Sequence, residues 1–207
     1  MTNLSRTALV PDNLYGSDTP LCNRSVAALA VGLTSMASTS CPIPASTTAG
    51  VYYIIALVDS GNSVPESNET NNTKASLALR YLPDLVPSSV GLTWLGGVLT
   101  VKDAVKNIGS YGAGAFTIRF SLSQITSNVG VSPVVEVPVS GFACSRTVTS
   151  LAAGVSNPVI DMASTSCSVG ALAVGSYRVR VTDDANNTAV ELNELNNAKL
   201  IGMFTVP

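Results

Sequence analysis

Oxygen ligands crowd one stretch of this 207-residue sequence. Asp59, Asn62, Glu66, Asn68, Glu69 and Asn71 fall within 13 residues, and Asp184, Asn187, Glu191, Asn193, Glu194 and Asn196 repeat the series. Ca²⁺ takes about six to eight hard oxygen ligands, which carboxylates and amides on a surface loop can supply. Asp59, Asn62, Glu66 and Glu69, with Asp184, Asn187, Glu191 and Glu194, are therefore candidate calcium ligands, although their spacing is not that of an EF-hand. The alternative is that Asn and Asp stand there because turns need side chains that bond their own backbone and tolerate left-handed conformations. Glu would then face solvent or bind backbone amides. No other cofactor is expected.

Catalysis finds little to work with. Glu66 and Glu69 could act as an acid and a base, but they lie in a turn that the chain duplicates, with no sign of a cleft. The sequence has no histidine, which removes the commonest general base, proton shuttle and zinc ligand. Its many Ser and Thr hydroxyls have no evident base to activate them. The single tryptophan, Trp94, reads either as a carbohydrate-stacking residue or as a core or module-edge residue. The expectation is a protein that is not an enzyme.

Hydrophobic residues make up 46% of the chain, which rules out disorder, while charged residues make up only 12%. Eleven scattered Lys and Arg against a net charge of -2 cannot build a nucleic-acid footprint. No apolar run approaches the roughly 20 residues of a membrane span. The opening Met1-Thr-Asn-Leu-Ser-Arg-Thr7 does not read as a signal peptide.

An internal repeat organises these residues. Met36-Ala-Ser-Thr-Ser-Cys41 recurs verbatim as Met162-Ala-Ser-Thr-Ser-Cys167, and Cys22-Asn-Arg-Ser-Val matches Cys144-Ser-Arg-Thr-Val. Gly50 to Asn72 aligns without a gap to Gly175 to Asn197 at a constant shift of 125. Each copy thus carries an early and a late cysteine in equivalent places. The economical pairing is Cys22–Cys41 and Cys144–Cys167, the alternative four buried thiols. Bridges of this kind persist in oxidising compartments. With five N-x-S/T triplets, starting at Asn3, Asn23, Asn68, Asn71 and Asn186, the chain reads as extracellular.

Strands must position the turn. Tyr177-Arg-Val-Arg-Val-Thr182 and Phe116-Thr-Ile-Arg-Phe-Ser-Leu122 alternate apolar and polar residues, as does Leu99-Thr-Val-Lys102, and Val134 to Val139 does so more loosely. Gly, Pro, Asn and Ser punctuate every ten residues or so, the spacing of an all-β sandwich or barrel. The one run with helical character, Ala27 to Gly32, is short and uncapped.

Copy two runs from Pro83-Asp-Leu-Val86 through Val105-Lys-Asn-Ile-Gly109, Leu151-Ala-Ala-Gly154 and Gly175-Ser-Tyr177 to Glu191-Leu-Asn-Glu-Leu-Asn-Asn197. Copy one closes on Val58-Asp-Ser-Gly-Asn-Ser-Val-Pro-Glu-Ser-Asn-Glu-Thr-Asn-Asn72. In this order the chain resembles the CARDB domain, a bacterial and archaeal cell-surface module related to cell adhesion. The resemblance implies a seven-stranded immunoglobulin-like β-sandwich, found in tandem in large surface and secreted proteins and without catalysis. Paired cysteines are an addition to that pattern.

The division implied is a partial module in residues 1–82 and a complete one in residues 83–207. Copy two has about 40 residues between Pro83 and Ser123 that copy one lacks, and Met1 to Ser5 matches the stretch just after Ser123. An incomplete sandwich exposes strand edges and half a core, so its strands are expected from a neighbour. The chain is then either a piece of a longer repeat protein or a subunit that others complete. Tyr53, Ile55 and Leu57 stand where copy two has Arg178, Arg180 and Thr182, and are expected at an interface. The alternative is a strand apolar on both faces. The expected function is structural: a stalk, adhesin segment or filament subunit at the cell surface, self-associating or joined to neighbouring modules. The other reading is an accessory module of a larger secreted enzyme or surface protein, with a glycan or another surface protein as partner.

Overall fold

The computed structural model describes residues 1–5, 18–126, 134–158 and 162–207, with the side chains of residues 4 and 5 left aside. Two units divide the chain, Met1–Tyr81 and Leu82–Pro207. No helix occurs among the described residues.

Unit 2 is an immunoglobulin-like sandwich. One sheet holds β6 (Leu85–Leu95), β7 (Val98–Asn107), β11 (Ser156–Asn157) and β12 (Ala163–Ser168), with β7 between β6 and the other two. The facing sheet orders β10 (Cys144–Val148), β8 (Phe116–Ile125), β13 (Gly175–Thr182) and β14 (Ala198–Val206), and β9 (Glu136–Pro138) extends β8 beyond β10. All pairings are antiparallel. Alternation along β7 sends Leu99, Val101 and Val105 inward, and along β13 it sends Tyr177, Val179 and Val181 inward, all buried. Phe116, Ile118, Phe120 and Leu122 of β8 fill the space between them. The Val134 to Val139 run narrows to the three residues of β9.

Trp94 belongs to this core edge. Its ring stacks on Phe204 at 4.7 Å between centroids, and Phe204 stacks on Tyr177 at 5.4 Å. Cys144 and Cys167 are bonded, and they lie on β10 and β12, so the bridge fastens one sheet to the other. Tyr177 also donates its hydroxyl to the Ala173 carbonyl at 2.8 Å, the tyrosine corner found in immunoglobulin sandwiches.

Unit 1 repeats one of these sheets. β1 (Thr2–Ser5) lies between β2 (Thr19–Cys22) and β3 (Gly50–Leu57), and β3 also pairs β4 (Thr73–Ala75) and β5 (Leu79–Tyr81). Tyr52 forms the same corner, donating to the Thr48 carbonyl at 2.6 Å. Leu4 lies opposite Ile54 as Leu122 lies opposite Val179, so β1 corresponds to the second half of β8 rather than to the stretch just after Ser123. Counterparts of β6, β7 and β12 are absent among the described residues of unit 1.

Their absence changes what identical residues do. Ala163 to Cys167 is strand because it pairs Asp103 to Leu99 of β7, whereas the same Met36–Cys41 sequence has no regular structure. Cys41 still bonds Cys22. Val26 and Leu29 are 50% and 54% exposed, while their counterparts Val148 and Leu151 are 2% and 3% exposed. Burying such a side chain is worth roughly 1.5–3 kcal/mol, so the difference is large beside the stability of a small domain.

Candidate functional site

The acidic loop after β13 begins with two left-handed residues, Asp184 (φ 41°) and Asn187 (φ 52°). Asn and Asp tolerate that region better than other side chains. The Asp184 carboxylate accepts from the Thr188 amide at 3.0 Å, the Thr188 hydroxyl at 2.7 Å and the Ala189 amide at 2.7 Å. Glu194 Oε1 accepts from the Glu191 amide at 2.9 Å, and Asn193 Oδ1 from the Leu195 amide at 3.0 Å. The loop after β3 is built the same way. Asp59 (φ 41°) accepts from Ser63 and Val64, Asn62 has φ 48°, Glu69 Oε1 accepts from the Glu66 amide at 2.9 Å, and Asn68 from the Thr70 amide at 3.0 Å. The Val64 amide, with the Ser63 amide and hydroxyl, lowers the Asp59 carboxyl below its ordinary value.

These bonds show what the candidate calcium ligands do. Asp59, Glu69, Asp184 and Glu194 turn their oxygens onto loop amides, and Asn62 and Asn187 supply backbone conformation. Among the described residues no group of three or more acidic or cysteine side chains is placed to hold a metal ion.

Glu191 does something further. Its Oε2 accepts from the Leu85 amide at the start of β6, and its Oε1 accepts from Asn197 Nδ2 at 3.0 Å. Beside it, Leu192 donates its amide to the Pro83 carbonyl at 2.9 Å, and Asn196 donates to Asp84 Oδ1 at 2.8 Å. The loop is a clasp on Pro83–Leu85, the first residues of the sandwich. Burial raises the Glu191 carboxyl to about 7, against the pull of the Leu85 bond. Glu66, its counterpart, is exposed.

Asn107 locks the same end. Fully buried, it accepts from the Asp84 and Gly109 amides at 3.1 and 3.0 Å and donates to the Tyr111 and Leu151 carbonyls at 2.7 and 3.1 Å. Every hydrogen-bonding position of the amide is used. A Cβ on Gly109 would stand 2.4 Å from the Leu82 carbonyl oxygen and 2.6 Å from the Asp84 nitrogen, which explains the glycine of the Val105 to Gly109 motif.

Deeper in the sandwich three inward charges meet. Arg146 on β10 grips Asp103 on β7 and also donates to Asn157 Oδ1 at 3.1 Å and to the Asn157 carbonyl at 3.2 Å. Asp183 is buried, with neither carboxylate oxygen hydrogen-bonded among the described residues. Burial first, and then the charges of Asp103 and Glu191, raise its carboxyl to about 8, with Arg146 opposing. Sequence reasoning passed over this group. The available signal was alternation: Asp103 falls in phase with Leu99, Val101 and Val105, and Asp183 with Val179 and Val181.

Tyr53, Ile55 and Leu57, expected at an interface, share the outer face of β3, opposite Tyr52, Ile54 and Ala56. Ile55 is buried within the chain, and Tyr53 and Leu57 are half-buried. The more open face of β3 is the one facing the sandwich interior: Ala56 is exposed and Ile54 half-buried, where Val181 and Val179 are fully buried. On the outer face of unit 2, Glu136 instead takes Arg178 and Arg180, the latter at 2.9 Å.

The CARDB family model matches residues 9–76 and 82–200. A search of curated proteins gives no match. Among solved structures, the CARDB domain of the PF1109 protein of Pyrococcus furiosus, in complex with di-metal ions, aligns at 22% identity and a TM-score of 0.38, covering 61% of this chain and 90% of that one. A solution structure of that domain aligns at 22% identity and 0.36, covering 60% and 94%. β-Glucosidase 3B of Thermotoga neapolitana, in complex with glycerol, aligns at 15% identity and 0.35, covering 62% of this chain and 17% of that enzyme.

Proposed function

The chain belongs to the CARDB family, and on that premise we propose that it is a non-catalytic, adhesion-related structural module of an extracellular surface protein, in which strands of a neighbouring module or subunit complete unit 1. One observation carries the reading: Ala-Ser-Thr-Ser-Cys is strand at 163–167, where it pairs β7, and irregular at 37–41, where no strand pairs it among the described residues. Open strand edges are a known route for pairing with another chain.

Two disulfides support placement outside the reducing cytosol. The absence of histidine from the sequence supports a mechanical rather than catalytic role, because load passes through sheets and bridges and needs no proton transfer.

Hydrogen exchange on the isolated chain, set beside electron microscopy of the native material, tests the proposal. Amides of β1 to β5 should exchange far faster than those of β6 to β14 in the isolated chain, and the native protein should form elongated assemblies. A monodisperse monomer whose residues 1–81 are as protected as unit 2 overturns it.

A further inference from the structure

Resting on the reading of unit 1 as completed from outside, we infer the chemistry of the element that completes it: an antiparallel two-stranded hairpin with an aspartate on the inner face of its second strand, received by Arg24 and Glu66.

Unit 2 shows which contacts such a hairpin makes. Its β6–β7 pair offers the Leu85 amide to Glu191, the Asp103 carboxylate to Arg146, and the β7 backbone to Ala163–Ser168. Unit 1 carries all three receivers. Arg24 occupies the place of Arg146, two residues after the bridged cysteine. It is exposed and holds the Ser35 hydroxyl at 3.0 Å, with no carboxylate in ion-pair range among the described residues. Glu66 occupies the place of Glu191, in a loop with the same internal bonds. Met36–Cys41 occupies the place of β12.

The three receivers fix direction and register. Ala163 lies opposite Asp103, and Cys167 opposite Leu99. Ala37 therefore falls opposite the incoming aspartate, and Cys41 opposite an apolar residue four positions before it. A guanidinium that an added strand covers selects strongly for that aspartate, because an apolar strand laid over Arg24 would otherwise bury an unmatched charge. A second copy of the chain is not the donor. Its own β6–β7 hairpin holds Leu85, Leu99, Val101 and Val105 fully buried in unit 2, and withdrawing them would dismantle that sandwich.

The test uses the full chain and, as probe, residues 82–109 of this sequence fused to a soluble carrier. The probe should bind. Asp103→Asn in the probe, or Arg24→Ala in the chain, should weaken binding at least about tenfold. The exchange of Arg24→Asp with Asp103→Arg should restore part of it. Unchanged melting of unit 2 in the Arg24→Ala chain confirms that the variant is folded, and the loss assigns binding to unit 1. If the original probe does not bind, completion of unit 1 by added strands is itself overturned. If it binds and all variants bind equally, completion stands and the requirement for an aspartate falls.

Discussion

Arg146 Nε lies 2.9 Å from Asp103 Oδ1 and Arg146 Nη2 lies 2.5 Å from Asp103 Oδ2, a forked ion pair that joins β10 in one sheet of unit 2 to β7 in the other. Arg146→Met removes the cation and leaves the Asp103 carboxylate, 1% exposed, without a partner. The expected loss is about 3–5 kcal/mol in urea unfolding of unit 2. The double variant Arg146→Met with Asp103→Leu should recover most of it, because an apolar pair of similar size avoids the desolvation of both charges. Equal stability of the single variant and the parent would mean that the pair contributes nothing.

Stability of unit 2 should fall as pH rises from about 5 to 9. Asp183 has a folded-state pKa of about 8 against an ordinary 3.8, so the folded protein holds a proton that the unfolded chain has released. Its contribution is complete below the ordinary value and is lost as pH climbs through 8. Glu191, raised to about 7, acts in the same direction. Thermal melting at pH 5.5 and pH 9 measures the slope, and Asp183→Asn should flatten it. A parent protein more stable at pH 9 would contradict the assignment.

Gly109→Ala should destabilise unit 2, since the added methyl meets backbone atoms of Leu82, Pro83 and Asp84 rather than movable side chains. Displacing that segment also strains the Asn107 and Glu191 bonds to Asp84 and Leu85. A loss of roughly 1–3 kcal/mol is expected, as for other overpacked sites. Gly114→Ala serves as control, because a Cβ there meets nothing within 4 Å.

Chelation of calcium should leave the melting temperature of either unit unchanged. The carboxylates of Asp59, Glu69, Asp184 and Glu194 already satisfy backbone amides, so the loops hold their shape without an ion. A fall of several degrees on adding chelator, reversed by Ca²⁺, would show that the same oxygens also serve a metal.

Much of this architecture is legible in the residues because the chain states it twice. Repeated spacing gives the cysteine pairs, and alternation gives most of β13 and β8 and the first part of β7. The inner ion pair escapes such a reading because Asp103 and Arg146 are polar residues in alternating strands, where the default is a wet face. Asp183 is harder still, as copy one has Val58 at that place. The outer face of β3 is apolar as its residues imply, but Ile55 is covered within the chain itself, which no local pattern encodes. The Glu191 to Leu85 bond spans 106 positions and has no local signature either.

Backbone angles in the two copies differ little where it matters. Gly32 and Gly154 have φ of 77° and 75°, and Asp59 and Asp184 share 41°. The corners and loops of unit 1 are thus already set without a facing sheet among the described residues. Preorganisation of this kind lowers the entropy lost on docking. A hairpin arriving at unit 1 gives up mainly its own freedom, so the completed module should close quickly and stay closed.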